Sequence, residues 1–309
     1  MPPEYALVAK NCVIDQLGRV GARKGWAKAS AYSATIGTDE VTLIHEFIKA
    51  DGTQVVLFIA GGHLWSLNMT TQAVTDLYTG AWTDAGTANG DSGWKAVTFN
   101  GAVYFFKGGQ NPFVYNGTTT SLITAAAGYA ATVPTANTVL AAYGRLWAAS
   151  TSTDKVTIKW SDTLIGVAWS GGASGSATIE TVLTSGTRSI VALTAFNGFL
   201  IVFCDKSILI YSGADEDPST NLTLVETIDG VGCIARDSIQ TVGNDIFFLS
   251  ETGVRSLARI VDQKSAPLWD ISRNVRDQLM ADVVSNGNNT NIVSGYSAVE
   301  GFYTLTLKT

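Results

Sequence analysis

Ile190-Val-Ala-Leu-Thr-Ala-Phe-Asn-Gly-Phe-Leu-Ile-Val-Phe-Cys204 is the most apolar run in this 309-residue sequence. Thr194, Asn197 and Gly198 interrupt it, so it falls short of the roughly 20 apolar residues that cross a bilayer. It reads as two buried strands with a turn between them. The same phrase, a turn containing Gly followed by a short apolar-aromatic strand, recurs along the chain. Earlier copies are Gly61-Gly62-His63-Leu64-Trp65, Asn100-Gly101-Ala102-Val103-Tyr104-Phe105-Phe106 and Tyr143-Gly144-Arg145-Leu146-Trp147. Later ones are Gly243-Asn244-Asp245-Ile246-Phe247-Phe248-Leu249 and Gly301-Phe302-Tyr303-Thr304-Leu305.

Aligning Leu64, Val103, Leu146, Leu200, Ile246 and Tyr303 gives six copies with steps between 39 and 57 residues. That is the spacing of four-stranded propeller blades. A following strand comes about ten residues after each turn, as at Phe113–Tyr115, Thr157–Trp160, Ile208–Tyr211 and Gly253–Leu257. Third strands are expected at Thr178–Val182 and Leu222–Ile228. The fold expected is therefore all-β, a β-propeller of about six blades built from antiparallel hairpins, in one domain over 1–309. Blade cores fall near 55–78, 97–116, 139–161, 190–212, 239–258 and 299–309. A many-stranded sandwich is the alternative, but sandwiches do not repeat one phrase along the chain. The last copy reaches the final residues with no strand after it. The segment Val8–Ile14 is the candidate to close the ring of blades, since closure removes two sheet edges at once. One helix is expected, Ile271–Ala281, with Ile271, Val275 and Leu279 on one face.

Composition agrees with strands. Charged residues are 15% of the chain, against about 25% in an average domain. Thr, Ser, Ala, Asn and Gly take the surface that Lys and Glu occupy on helical proteins. Lys plus Arg is 20 and Asp plus Glu is 26, a net charge of −6 that argues against a general nucleic-acid binder. The start, Met1-Pro-Pro-Glu-Tyr5, has neither a basic nor an apolar region, and no secretion signal is expected. Cys12, Cys204 and Cys233 lack metal spacing and read as small buried hydrophobes of a reducing compartment.

Catalytic signatures are sparse. His45 and His63 are the two histidines, and neither has a second ligand at zinc spacing. No nucleophile elbow or phosphate-binding loop occurs. Ala214-Asp-Glu-Asp-Pro218 is the densest acidic cluster, and Pro218 with Ser212-Gly213 marks it as a solvated turn ahead of a calcium site. Trp160-Ser161-Asp162 with Gly166 and Trp169 superficially resembles a sialidase turn, but its spacing departs and it occurs once. No enzyme, cofactor or metal is expected. One basic cluster stands out, Arg19, Arg23, Lys24 and Lys28, as a contact for a partner ring or DNA, the plainer alternative being an exposed turn. Arg255 and Arg259 are expected on a strand facing solvent or a subunit boundary. Trp82 and Trp94 sit among small polar residues and read as exposed aromatics.

Several of these stretches taken in order resemble phage tail nozzle and head-to-tail stabilisation proteins. Pro3-Glu4-Tyr5-Ala6, Asn11 and Gly18-Arg-Val-Gly-Ala-Arg-Lys-Gly-Trp26 are similar to the start of that family. Trp160-Ser161-Asp162 with Trp169, Ile190–Phe203 and Ser207–Gly213 are similar to its blade core. Gly232-Cys-Ile-Ala-Arg-Asp-Ser238 and Asp245–Leu257 continue the likeness over most of the chain. The resemblance implies a non-enzymatic virion protein in the tail of a short-tailed phage, made in the bacterial cytoplasm. Its copies would form a ring, hexameric in expectation, below the portal and adaptor. That ring extends the DNA channel, retains the genome and opens on infection, with tail fibres as a further partner. Many relatives carry inserted platform domains for which this chain has no room. The alternative is a propeller module of a tail or adhesin that binds glycans or proteins at its face. A propeller hydrolase stands third.

Overall fold

The computed structural model describes residues 12–14, 20–22, 36, 39–79, 93–123, 133–179, 189–263, 271–285, 292–299 and 301–307, with the side chains of 12–14, 79, 259 and 262–263 excepted. The chain separates into two compact units, Met1–Asp39 and Glu40–Thr309, where the sequence suggests one. In the first unit, β1 (Cys12–Ile14) pairs antiparallel with β2 (Val20–Ala22), Val13 opposite Gly21. The segment expected to close the ring is thus seen, in its described part, as one arm of a hairpin.

The second unit is a β-propeller of six antiparallel sheets. Blade 1 contains β3 (Val41–Ile48), β4 (Gln54–Ala60), β5 (His63–Asn68) and β6 (Val74–Thr79). Blade 2 contains β7 (Lys95–Phe99), β8 (Ala102–Phe106), β9 (Phe113–Tyr115) and β10 (Thr120–Leu122). Blade 3 runs through β11 (Ala136–Ala142), β12 (Arg145–Thr151), β13 (Thr157–Trp160) and β14 (Gly175–Thr178). Blade 4 is β15 (Ile190–Phe196), β16 (Phe199–Cys204), β17 (Ser207–Ser212) and β18 (Thr223–Asp229). Blade 5 has three described strands, β19 (Gln240–Val242), β20 (Asp245–Ser250) and β21 (Gly253–Ser256). Blade 6 has two, β22 (Ile292–Ser297) and β23 (Phe302–Leu307).

The hairpin that opened the sequence reading shows why its strands are continuously apolar. Asn197 and Gly198 take φ of 50° and 81°, the left-handed pair that a two-residue hairpin turn requires. Alternation then sends Leu200, Val202 and Cys204 into the core shared with blade 3. Ile201 and Phe203 point the other way, into the core shared with blade 5. A blade wedged between two neighbours buries both faces, so polar positions disappear from its inner strands.

Each pair of consecutive blades encloses one such core. Leu57 and Leu64 of blade 1 meet Trp94, Phe105 and Phe113 of blade 2. Tyr104 and Phe106 of blade 2 meet Val139 and Leu146 of blade 3. Trp147 and Trp160 of blade 3 meet Leu200 and Leu209 of blade 4, and Phe203 of blade 4 meets Phe248 of blade 5 at 4.9 Å between ring centroids. Leu249 and Val254 of blade 5 meet Ile292 of blade 6. Between blades 6 and 1 no buried core forms among the described residues. The two strands nearest that boundary instead expose Ile44 by 69%, Ile48 by 57% and Val293 by 57%.

Several details differ from the sequence reading. Five of the six quoted turns open the second strand of their sheet, but Gly61-Gly62 opens the third; in blade 1 the corresponding turn is Asp51-Gly52, before β4. All hairpin turns of a blade share one chemistry, so the phrase alone does not fix a strand's place. The strand expected at Thr178–Val182 lies at Gly175–Thr178 and is fourth in its sheet, while that at Leu222–Ile228 is β18. Three helices are described: α1 (Pro218–Asn221), α2 (Leu257–Gln263) and α3 (Arg276–Ser285). The expected helix therefore starts five residues later than Ile271, after a run of turns, and the shift leaves Ile271 and Val275 exposed while Val283 is buried. Helix α2 was hidden by the strand pattern before it. Asp245 halts that strand by accepting the Ser256 hydroxyl and the Ala258 N–H, the latter at 2.9 Å.

Candidate functional site

The densest charged constellation lies at the hub. A 3-10 turn, Arg236–Ser238, delivers the chain into β19, the innermost strand of blade 5. Arg236 is buried, and its guanidinium reaches across the hub to two other blades. It donates to the backbone carbonyl of Asn137 in β11 and, at 3.4 Å, to that of Trp94 just before β7. It also grips Asp237, with Nε at 3.1 Å and Nη2 at 2.6 Å from Oδ2. Lys95 of β7 approaches the other carboxylate oxygen, its Nζ donating to Oδ1 at 3.0 Å.

Blade 6 is tied to the same turn. Ser294 Oγ donates to the Asp237 carbonyl at 2.7 Å, Gln240 Nε2 donates to the Ser294 carbonyl at 3.1 Å, and the Tyr303 hydroxyl donates to the Ser238 carbonyl at 2.7 Å. Burial alone would raise the Asp237 carboxyl. The Arg236 and Lys95 charges outweigh it and hold that carboxyl well below the ordinary carboxylate range. The side chain keeps about a fifth of its exposure on the cavity side, so the pairing is partly screened by solvent.

That cavity, about 370 Å³, is lined by β3, β7, the 3-10 turn with β19, and β22. His45 lies in its wall, with Nε2 2.8 Å from the Thr98 hydroxyl. Burial first, then the Lys95 charge, lower the His45 pKa, and Glu46 offsets them in part. A histidine held below 6.5 in the fold stabilises fully above that value, and the contribution is lost as pH falls through the folded pKa. Thermal melts between pH 7 and pH 5 should therefore show a falling melting temperature, and His45→Gln should flatten that slope. An unchanged slope in the variant would remove His45 as the cause.

The other residues named from sequence are dispersed. Arg19, Arg23, Lys24 and Lys28, the expected partner-ring or DNA contact, lie outside the described residues, as does Trp82. Trp94 is buried under blade 1, at 2% exposure, because its ring fills the core between blades 1 and 2. Arg255 is buried too, its Nε donating to the Ser250 and Thr252 hydroxyls at 3.1 and 3.0 Å, so it does not face solvent. Arg259 belongs to α2 and to no strand. His63 opens β5 and pairs with Asp76 across the sheet at 2.8 Å.

In the acidic cluster, Asp217 caps α1 by accepting from the Ser219 N–H at 3.0 Å. Asp162 accepts from the Thr163 and Ala173 backbone N–H groups at 2.7 and 3.1 Å, so its carboxylate holds its own loop. Burial pushes the Cys204 thiol up to about 12 and the Cys233 thiol up to about 11, as expected of packed rather than reactive cysteines. No group of three His, Cys, Asp or Glu among the described residues is placed to hold a metal ion. A second cavity of about 450 Å³ opens at the rim of blades 3 and 4 over Trp160 and Tyr211, whose rings are 2% and 8% exposed. That leaves little ring face on which a sugar stacks.

Arg236 and Asp237 were missed as a site by sequence reasoning. Their signal was there: an adjacent Arg-Asp pair inside the apolar Gly232–Ile239 in a chain poor in charge. Ionised side chains in such surroundings are buried in pairs or not at all.

No family model and no curated protein matches the chain. Among the solved structures that are similar in part are the following three. A nidogen/laminin complex aligns over 71% of this chain and 75% of its own at 9% identity and a TM-score of 0.41. The computationally designed Ika8 protein aligns over 70% of this chain at 15% identity and a TM-score of 0.43, and the N-terminal domain of Nup159 over 70% at 8% and 0.38. The chain spans 57% of the length of each of the latter two.

Proposed function

We propose that the protein is a structural, non-enzymatic component of the tail of a short-tailed phage. Its copies form a ring that extends the DNA channel below the portal and adaptor, retains the genome and lets it pass on infection. The observation that carries this reading is where the nozzle-like stretches fall. Ile190–Phe203 occupies β15 and β16, Ser207–Gly213 occupies β17, Gly232–Ser238 ends in the hub turn, and Asp245–Leu257 occupies β20 and β21. In blades 4 and 5 the likeness thus falls on five strands, with Gly232–Ser238 in the connection between the two blades.

Three further features support it. Arg236 crosses the hub of the propeller, so a DNA channel belongs between copies arranged about a common axis. Exposed aliphatic side chains such as Ile48 and Val225, 57% and 56% exposed, are suited to burial against neighbouring subunits. A net charge of −6 suits a wall that DNA slides past without adhering. The ring is hexameric in this reading, with portal, adaptor and fibre proteins as partners and the virion tail as its location.

Quantitative mass spectrometry of purified virions tests the proposal. A hexamer beneath a twelve-fold portal gives roughly one copy per two portal copies. Absence from the particle overturns the reading.

A further inference from the structure

The wedge between two blades of a radial array widens toward the rim, where the outermost strands must fill it. At the boundary of blades 1 and 2 large side chains do so. Leu77 and Tyr78 of β6 and Leu122 of β10 pack on the core, with the Tyr78 ring 5.8 Å from that of Phe113. At the boundary of blades 3 and 4 the outer strand β14 sets only Gly175 and Ala177 beside Trp160 and Ile158, which face blade 4. A Cβ on Gly175 would lie 2.6 Å from the Trp160 ring, so the ring keeps that position small. What remains is the rim cavity of about 450 Å³, with Trp160, Tyr211, Pro218, Leu222 and Leu224 in its other walls.

No charged side chain lines this cavity among the described residues. Lys159 precedes Trp160 on β13, and alternation turns it to the other face. A register shift between Ile210 and Tyr211 resets the alternation of β18, so Glu226 shares the face of Ile228 toward blade 5, away from Leu224. Asp217 directs its carboxylate to the Ser219 N–H. The Trp160 indole N–H is satisfied by the Ala173 carbonyl at 3.1 Å. Tyr211 differs: it is 8% exposed, yet its hydroxyl makes no hydrogen bond among the described residues. Burial, with Cys204 as the second cause, pushes that hydroxyl up to about 12, so it remains a donor. A desolvated donor without an acceptor is costly, and a ligand oxygen that accepts from it recovers the loss.

We propose that this cavity binds a small uncharged molecule with an apolar body and a carbonyl oxygen. The oxygen accepts from the Tyr211 hydroxyl, and the body covers Ala177, Leu222 and Leu224. A charged ligand would leave water for walls that hold no counter-charge. The volume is in the lower range of small-ligand sites. The site is independent of the ring role, and either reading can fail without the other.

Camphor, a bicyclic ketone of this kind, is the probe, titrated into the full chain and read by calorimetry and melting temperature. At ten times its dissociation constant it should raise the melting temperature by about 3 °C. Camphorsulfonate and bornylamine carry the same body with a negative or a positive charge, and each should bind about tenfold more weakly or worse. Tyr211→Phe should weaken camphor by about three- to tenfold. The same variant should melt no lower than the parent without ligand, because the hydroxyl it removes holds no partner among the described residues. Ala177→Leu fills the open wedge and should abolish camphor binding, with its own melting curve as the check on folding. The peptide acetyl-Leu-Ala-Leu-amide presents uncharged carbonyls on a chain, and weaker binding of it than of camphor marks a free small molecule as the occupant. No response to camphor, equal binding of the charged analogues, camphor binding unchanged in Tyr211→Phe or Ala177→Leu, or tighter binding of the peptide overturns the proposal.

Discussion

Arg236→Met should destabilise the propeller by about 3–5 kcal/mol, the range for removing one member of a buried ionic network. In a unit of this size that is a fall in melting temperature of roughly 10 °C. The side chain is 2% exposed and bonds to blades 2 and 3 as well as to its neighbour Asp237. Methionine fills much of the volume but leaves the Trp94 and Asn137 carbonyls and a carboxylate short of donors. Arg236→Lys retains the charge without the planar fork, so it should recover only part of the loss. The acid limb carries a second signature. A carboxyl held below its ordinary range stabilises fully above about pH 4 and loses that contribution as pH falls. Arg236→Met should therefore flatten the decline of stability below pH 4. A loss under about 1 kcal/mol by calorimetry would mean that the crossing bonds do not hold the hub.

Trp147→Ala should cost about 3–5 kcal/mol for a different reason, the cavity left in a close-packed core. Trp147 is fully buried between blades 3 and 4, its ring 5.6 Å from that of Trp160, and its indole N–H donates to the Ala142 carbonyl at 3.1 Å. Alanine removes the ring contacts and orphans a strand-end carbonyl. Trp147→Phe keeps most of the volume and should cost about half as much or less. Denaturant unfolding is the measurement, with an unchanged slope and a lower midpoint expected. Equal stability of the alanine variant and the parent would contradict the packing described for this core.

The fold was legible because hairpin turns announce themselves. Asn197-Gly198 and Tyr143-Gly144 both adopt the paired left-handed conformation, and the aromatic strand after each lies where the repeat puts it. What stayed hidden depends on contacts distant in sequence. The place of Gly61-Gly62 within blade 1 is set by which strand reaches the hub, and no local pattern records that. Trp94, flanked by Gly93 and Lys95, looks exposed until blade 1 is laid over it. The hub network needs Arg236 to meet Trp94 and Asn137, 142 and 99 residues away. Only the unusual presence of charge in an apolar stretch hinted at it. The basic cluster chosen from sequence, Arg19, Arg23, Lys24 and Lys28, falls outside the described residues.

Five filled boundaries among six blades have a consequence for how the molecule opens. Cooperativity passes along a line with two ends: blades 2 to 5 are each clamped on both faces, blades 1 and 6 on one, among the described residues. In such an array the stability of a unit follows the number of neighbours it keeps. Fraying then starts at β3–β6 and β22–β23 and works inward, with blades 3 and 4 the last to exchange their amide hydrogens.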